Sequence, residues 1–331
     1  MDAMQLFLAR MRAIFPLLAV LCLLGSHARA ADTASAKSNS SKTVRLLTVG
    51  NSFSQNATRQ LGNLVTNAGH VLIHQPIVVG GASLELHWGR AAAHEQDPQG
   101  TNGLYGKQSL KQHLTAQPWD FVTIQQASIK SHDVETYRPF AKQLHDYIKQ
   151  HAPKSAVLMH QTWAYRVDDP RFSPTTPKAG EPATQAQMYE QLTRAYVTIA
   201  AELGIRRIPV GDAFYLADTD PKWGYRPDAK YDFKDKSQTA LPDQTHSLHV
   251  GWRKSKGKDG KEALGMDGHH ANAAGEYLGG CVWFEILFGE SVVGNAFVTP
   301  GLDKAHARFL QETAHKAVLA SSTRRLSTPA K

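Results

Sequence analysis

Short apolar runs alternate with amphipathic stretches along the chain. The runs are 44–49, 77–79, 121–124, 156–159 and 207–210. Each is the length of a buried strand and is bounded by small or polar residues. Between them, 55–68 places Leu61, Leu64, Val65 and Ala68 on one helical face. The stretch 135–151 does the same with Tyr137, Phe140, Leu144 and Ile148, and 187–203 with Met188, Leu192, Tyr196, Ile199 and Leu203. Strands separated by helices predict a five-stranded parallel sheet covered on both faces, a three-layer α/β/α sandwich. Two stretches fit no such element: 167–184, rich in Pro, and 215–265, rich in Lys, Asp, Gly and Trp. Connections of that length in a compact domain are usually covers over a site or insertions. No internal repeat is apparent.

The first 30 residues stand apart from this pattern. Arg10 and Arg12 precede an apolar run at 13–25, followed by Ala28-Arg29-Ala30, the layout of a cleaved secretory signal. The run is shorter than the roughly 20 residues that cross a bilayer. Cys22 follows Leu21, where a lipoprotein site requires a small residue. The expectation is therefore an exported chain, secreted or periplasmic, with no stable membrane insertion. A Ser-, Ala- and Lys-rich lead-in at 31–43 is expected to be disordered, the domain to run over 44–320, and 321–331 to be a flexible tail. Removing the signal leaves Cys281 as the sole cysteine, so no internal disulfide is available and the fold must rest on its core. The net charge of +8 falls to +6 once Arg10, Arg12, Arg29 and Asp2 are removed. Basic residues cluster at 222–261 and in the tail without a nucleic-acid motif, so a nucleic-acid partner is not expected.

Candidate chemistry lies at two stretches. In VRLLTVGNSFSQNA, the first strand ends on Gly50-Asn51-Ser52. Ligands of open parallel sheets gather at such strand ends, although a serine there is equally suited to capping a helix. In GMDGHHANAAGEYLGG, Asp267 precedes His270 by three residues, about one turn. Asp267 can then accept from Nδ1 of His270 and leave Nε2 free to take a proton from a serine. Alone, this stretch also reads as a solvated loop. Together, and in the order Ser, Asp, His, the two point to nucleophilic catalysis.

From residue 44 to about 289 the chain resembles the SGNH or GDSL-type hydrolases, in a branch whose first block reads G-N-S-F-S. The resemblance implies Ser52 as nucleophile, Asp267 and His270 as its partners, and strand order 2-1-3-4-5. Asn272 and Gly275 match the continuation into the last helix. In VVGGASL it implies Gly81, with Gly80 as rival, as a backbone oxyanion donor beside Ser52 itself. The third block departs from the family: WDFVTIQQASIK holds no asparagine. Gln126 is the expected side-chain donor and Gln125 the alternative. Asn51 stands where the family usually has aspartate. Trp163, after the fourth strand, is a candidate platform for a sugar ring. No cofactor is expected. No metal is expected either, because no three-ligand spacing occurs, although His246 with His249, or Asp267 with His269 and His270, offer donors. The implied activity is that of an exported serine esterase removing acetyl groups from a small-molecule or polysaccharide ester. Lipase- or thioesterase-like hydrolysis, or glycan binding without catalysis, are the alternatives.

Overall fold

Strand β1, Thr43–Gly50, reads as an unbroken apolar run because it is covered on both faces. Leu46 and Leu47 are fully buried, and burying each such side chain contributes about 1.5–3 kcal/mol. In the computed structural model, which describes residues 40–173, 179–235, 239–256, 260 and 262–326, β1 is the strand on which the domain is organised. The expected signal at 1–30 and the lead-in up to residue 39 lie outside the described residues, as does the tail beyond 326. Thr43, assigned to the lead-in from sequence, already belongs to β1.

After β1 come helices α1, Ser52–Thr58, and α2, Leu61–Asn67, then β2, Val71–Val78, and α3, Leu84–Gln96. A small hairpin follows, β3, Leu104–Tyr105, with β4, Gln108–Ser109, leading into α4, Leu110–Thr115. The next units are β5, Phe121–Ile124; α5, Phe140–His151; β6, Ala156–His160; α6, Gln185–Glu202; β7, Arg206–Ile208; and α7, Val210–Asp218. A long hairpin, β8, His249–Lys256, with β9, Glu262–Ala271, precedes α8, Ala273–Phe288, and α9, Lys304–Leu326. The main sheet has the order β2-β1-β5-β6-β7, all parallel. That is the 2-1-3-4-5 arrangement of the SGNH hydrolases, and it puts β1 beside β5 where the connections reverse direction.

Differences from the sequence reading have local causes. β2 starts at Val71 rather than residue 77, and as an edge strand it tolerates Pro76 and leaves Val71 and Ile73 partly exposed. The predicted helix at 55–68 is two helices, broken at Arg59–Gln60. Pro139 delays α5 to Phe140. The stretch 215–265 is not a loop throughout: it begins in α7 and ends in the β8–β9 hairpin. The expected tail at 321–331 is helical as far as Leu326. Helix α8 is apolar all round because it is buried between α1, α2, α7 and α9.

Candidate active site

Ser52 opens α1 at the C-terminal end of β1. Its neighbour Asn51 caps the helix, its Oδ1 accepting the Phe53 N–H at 2.9 Å. The same oxygen accepts Gln125 Nε2 at 2.7 Å, and Asn51 Nδ2 donates to the Ala82 carbonyl at 2.9 Å. Gln125 Oε1 in turn accepts from His160 Nδ1 at 2.8 Å, which fixes the proton on that nitrogen. Burial pushes His160 down to about 3, so the ring stays neutral. A chain of buried amides thus ties the ends of β1, β5 and β6 to the turn after β2. Gly50 admits no side chain, since a Cβ would lie 2.6 Å from Ser54 Oγ and 2.9 Å from Gln125 Oε1. The Gly50 carbonyl accepts from Val79 N–H at 3.1 Å and from His87 Nε2 at 3.2 Å.

Asp267 and His270 come from the far end of the chain, on β9. His270 Nε2 lies 2.9 Å from Ser52 Oγ, and its Nδ1 lies 3.1 and 3.0 Å from the two carboxylate oxygens of Asp267. The His270 backbone N–H also donates to Asp267, at 3.0 Å. Burial works to raise the Asp267 carboxyl, but the hydrogen bonds from His270 and the neighbouring His269 and His270 charges outweigh it and hold the group well below the usual carboxylate range. His269 is pushed down by burial, opposed by Asp267.

Several contacts bring β9 to α1. Asn56 Oδ1 accepts the Ala271 N–H at 3.3 Å, and Asn56 Nδ2 donates to Glu276. Gly279 of α8 packs so close to Ala57 of α1 that a Cβ would lie 2.8 Å from its Cα. Asn272 caps α8 and donates to the Ser247 and His249 carbonyls. On the other side, the Arg166 N–H donates to the Gly268 carbonyl at 2.8 Å, and the Asp169 carboxylate fills the space where a Gly268 Cβ would stand. Arg166 is itself fully buried, bound to Asp168 at 2.7 and 2.9 Å and to Gln244 at 2.7 Å.

The other expected site residues divide. Gly81 sits in an exposed turn at φ +66°, next to the Ala82 carbonyl that holds Asn51. The backbone N–H groups of Ser52 and Gly81 donate to no acceptor among the described residues. Gln126 does not reach the site with a free donor. Its Nε2 donates to the Thr136 carbonyl at 2.7 Å and to Thr136 Oγ1 at 3.2 Å, and its Oε1 accepts the Leu84 and Ala127 N–H groups. It fastens the β5 loop to α3. Trp163 is likewise corrected: it is fully buried, stacked on Phe214 and packed against Phe53, both at 4.4 Å between centroids, and offers no face to a sugar. Its indole N–H instead supports the His269 carbonyl at 2.9 Å. His160, Arg166 and Asp169 were passed over from sequence, and nothing in their spacing signals them. Gln125, the alternative to Gln126 there, is the amide that faces the Ser52 turn, bound to Asn51 and His160. One donor atom from each of Asp267, His269 and His270 lies within 4.8 Å of the others, so this trio is also the grouping that can hold a cation among the described residues.

No curated protein matches the chain. Among solved structures, a protein of the DUF4886 family from Bacteroides uniformis ATCC 8492 is 26% identical, with 84% of this chain and 95% of that one covered and a TM-score of 0.62. A protein described as an SGNH hydrolase from Slackia heliotrinireducens is 20% identical over 73% of this chain and 98% of that one, at a TM-score of 0.45. One described as a GDSL-like lipase from Parabacteroides merdae ATCC 43184 is 11% identical over 76% and 99%, at 0.43. The last two align too loosely to bear on chemistry. The model of DUF4886, a domain of unknown function, matches residues 45–219, and the chain belongs to that family.

Proposed function

We propose that this chain is an exported serine hydrolase that removes acetyl groups from carbohydrate esters. The observation that carries the hydrolase part is the unbroken line from Ser52 Oγ through His270 to Asp267, at 2.9 and 3.0 Å. A serine hydroxyl becomes a competent nucleophile when a base takes its proton as the bond to carbon forms. His270 Nε2 is placed to take it, and the ionised Asp267 stabilises the imidazolium. The tetrahedral oxyanion would meet the N–H groups of Ser52 and Gly81, each such donor contributing roughly 2.7–4 kcal/mol. Collapse expels the alcohol, which takes its proton from His270. Water activated by the same nitrogen then frees the acid and restores Ser52.

Export is supported by Arg10 and Arg12 ahead of the apolar run at 13–25. Preference for a glycan is supported by the composition of the hairpin that carries Asp267 and His270. Arg253 of β8 stands 4.0 Å from Asp267, and on the opposite face of the same strand Trp252 joins Phe233 and Tyr231 in a partly exposed aromatic row with centroids 4.7 and 4.8 Å apart. Such a mixture of ring faces and charge suits a polyhydroxylated ligand better than a long acyl chain, which binds in a continuous apolar groove. The test is twofold. A fluorophosphonate should modify Ser52, located by mass spectrometry, and nothing in Ser52→Ala. Turnover should be confined to acetyl esters and include at least one acetylated glycan. Labelling of another serine would refute the nucleophile, and rates rising with acyl length to eight carbons would favour a lipase-like enzyme.

A further inference from the structure

The space between Asp267, His269 and His270 has a second use. Asp267 Oδ1 lies 3.4 Å from His269 Nδ1, and Oδ2 lies 3.0 Å from His270 Nδ1. A tetrahedral zinc ion with bonds of about 2.0–2.1 Å holds its ligand atoms about 3.3–3.4 Å apart. The carboxylate therefore sits at close to zinc-ligand spacing from both imidazoles, and one donor atom from each of the three residues lies within 4.8 Å of the others. The donor chemistry fits as well: two imidazoles and a carboxylate are the set that zinc takes with one position left to water. The site is open to solvent, since the His269 and His270 side chains are 38% and 33% exposed. His269 is held from behind, its carbonyl on the Trp163 indole and its ring against Tyr165. Arg253, which stands 4.0 Å from Asp267, is on a side chain 61% exposed.

We infer that Asp267, His269 and His270 bind a zinc-type divalent ion, and that the bound ion switches the proposed hydrolase off. The ion takes the place of the proton that His270 Nδ1 directs at Asp267. In the neutral ring that proton moves to Nε2, so no lone pair faces Ser52 and the base is lost without any proton leaving the protein. The inhibition rests on the hydrolase reading above; the binding does not.

The experiment separates the two. The mature chain, produced without a polyhistidine tag and stripped of metal, is titrated with zinc chloride by calorimetry and with cobalt chloride by visible absorbance. One tight equivalent with a tetrahedral cobalt spectrum is expected in the wild type and equally in Ser52→Ala, because Ser52 is not a ligand. His269→Ala should weaken binding by at least about tenfold, the loss that even an outer-shell partner causes. In an ester assay, zinc should abolish wild-type turnover reversibly, with recovery on chelation. His269→Ala, compared with its own zinc-free rate, should need at least about ten times more zinc. Absence of a tight site, binding unchanged in His269→Ala, or turnover raised by zinc would overturn the inference. A chain with no ester turnover would sink the hydrolase reading and the switch with it, while calorimetry would still decide the site.

Discussion

Asn51 uses its whole side chain. Its oxygen accepts from Phe53 and Gln125 and its nitrogen donates to Ala82, so the amide is the one group that can both cap α1 and hold the glycine turn carrying Gly81. An aspartate, usual here in the SGNH-type pattern that the sequence resembles, could accept both bonds but would set a carboxylate against the Ala82 carbonyl. Asn51→Asp should therefore cost about 1–3 kcal/mol, read as a melting temperature several degrees lower, and should reduce kcat more than KM because the turn beside Ser52 is loosened. Wild-type melting and kcat would show that the Ala82 bond contributes little. At this scale the sequence was informative where chemistry dictates spacing and uninformative where it does not. Asp267 and His270 were found by their spacing, although they meet on β9 and not across a helical turn: the pairing with β8 shifts register between His249 and Gly251, and the irregularity brings the two side chains together. Gln126 and Trp163 were misplaced because neighbouring residues on an irregular loop do not reveal which of them turns inward. Gln125 faces Asn51 and Gln126 faces Thr136.

Among the elements, the β8–β9 hairpin matters most to the site, since it delivers both Asp267 and His270. It was hidden in the sequence. Its strands carry Gly, Lys and Arg in place of an alternating apolar pattern, because much of the hairpin projects from the body and is exposed. Contacts with the loop after β6 hold it instead: Arg166 on the Gly268 carbonyl, Asp168 under Trp252 and Tyr225, and Asp169 against Gly268. The central strands β1, β5 and β6 were legible for the opposite reason, being buried on both faces. The hairpin's dependence on a close approach is testable. In Gly268→Ala the new Cβ would lie 2.3 Å from Asp169 Oδ2, forcing the turn between Asp267 and His270 outward. A shift of about 1 Å there should lower kcat about 10²-fold. Asp169→Ala removes the carboxylate and leaves its Cβ 3.0 Å away, so the double variant should recover part of the loss. Equal kcat in Gly268→Ala and the double variant would place the damage elsewhere.

For the molecule as a whole, buried histidines set the response to acid. Burial lowers His74 and His87 to about 4 and His160 and His249 to about 3, while in the unfolded chain each titrates near 6.5. A histidine depressed in this way contributes stability that is present above pH 6.5 and lost as pH falls toward its folded value, because the unfolded state takes up protons that the native state refuses. Asp218 at the end of α7 has the opposite sign: burial raises it to about 7, against a hydrogen bond from Gln185 and the charges of Arg166 and Arg226. Its contribution is present below about pH 4 and lost as pH rises through 7. Between those limits the unfolded chain gains four protons from these groups and the native state retains one. Stability should then fall by up to about 4 kcal/mol per pH unit on acidification, against a total of about 5–15 kcal/mol for a typical domain. Thermal melts from pH 8 to pH 4 should show a plateau above about 6.5 and a steep decline below it. Asp218→Asn should melt higher than wild type at pH 8, where the buried carboxylate is charged, and no higher at pH 4, where it is not. A melting temperature flat from pH 8 to pH 5 would mean that the four rings accept protons in place, and that the buried His160–Gln125–Asn51 chain beneath Ser52 tolerates a charge.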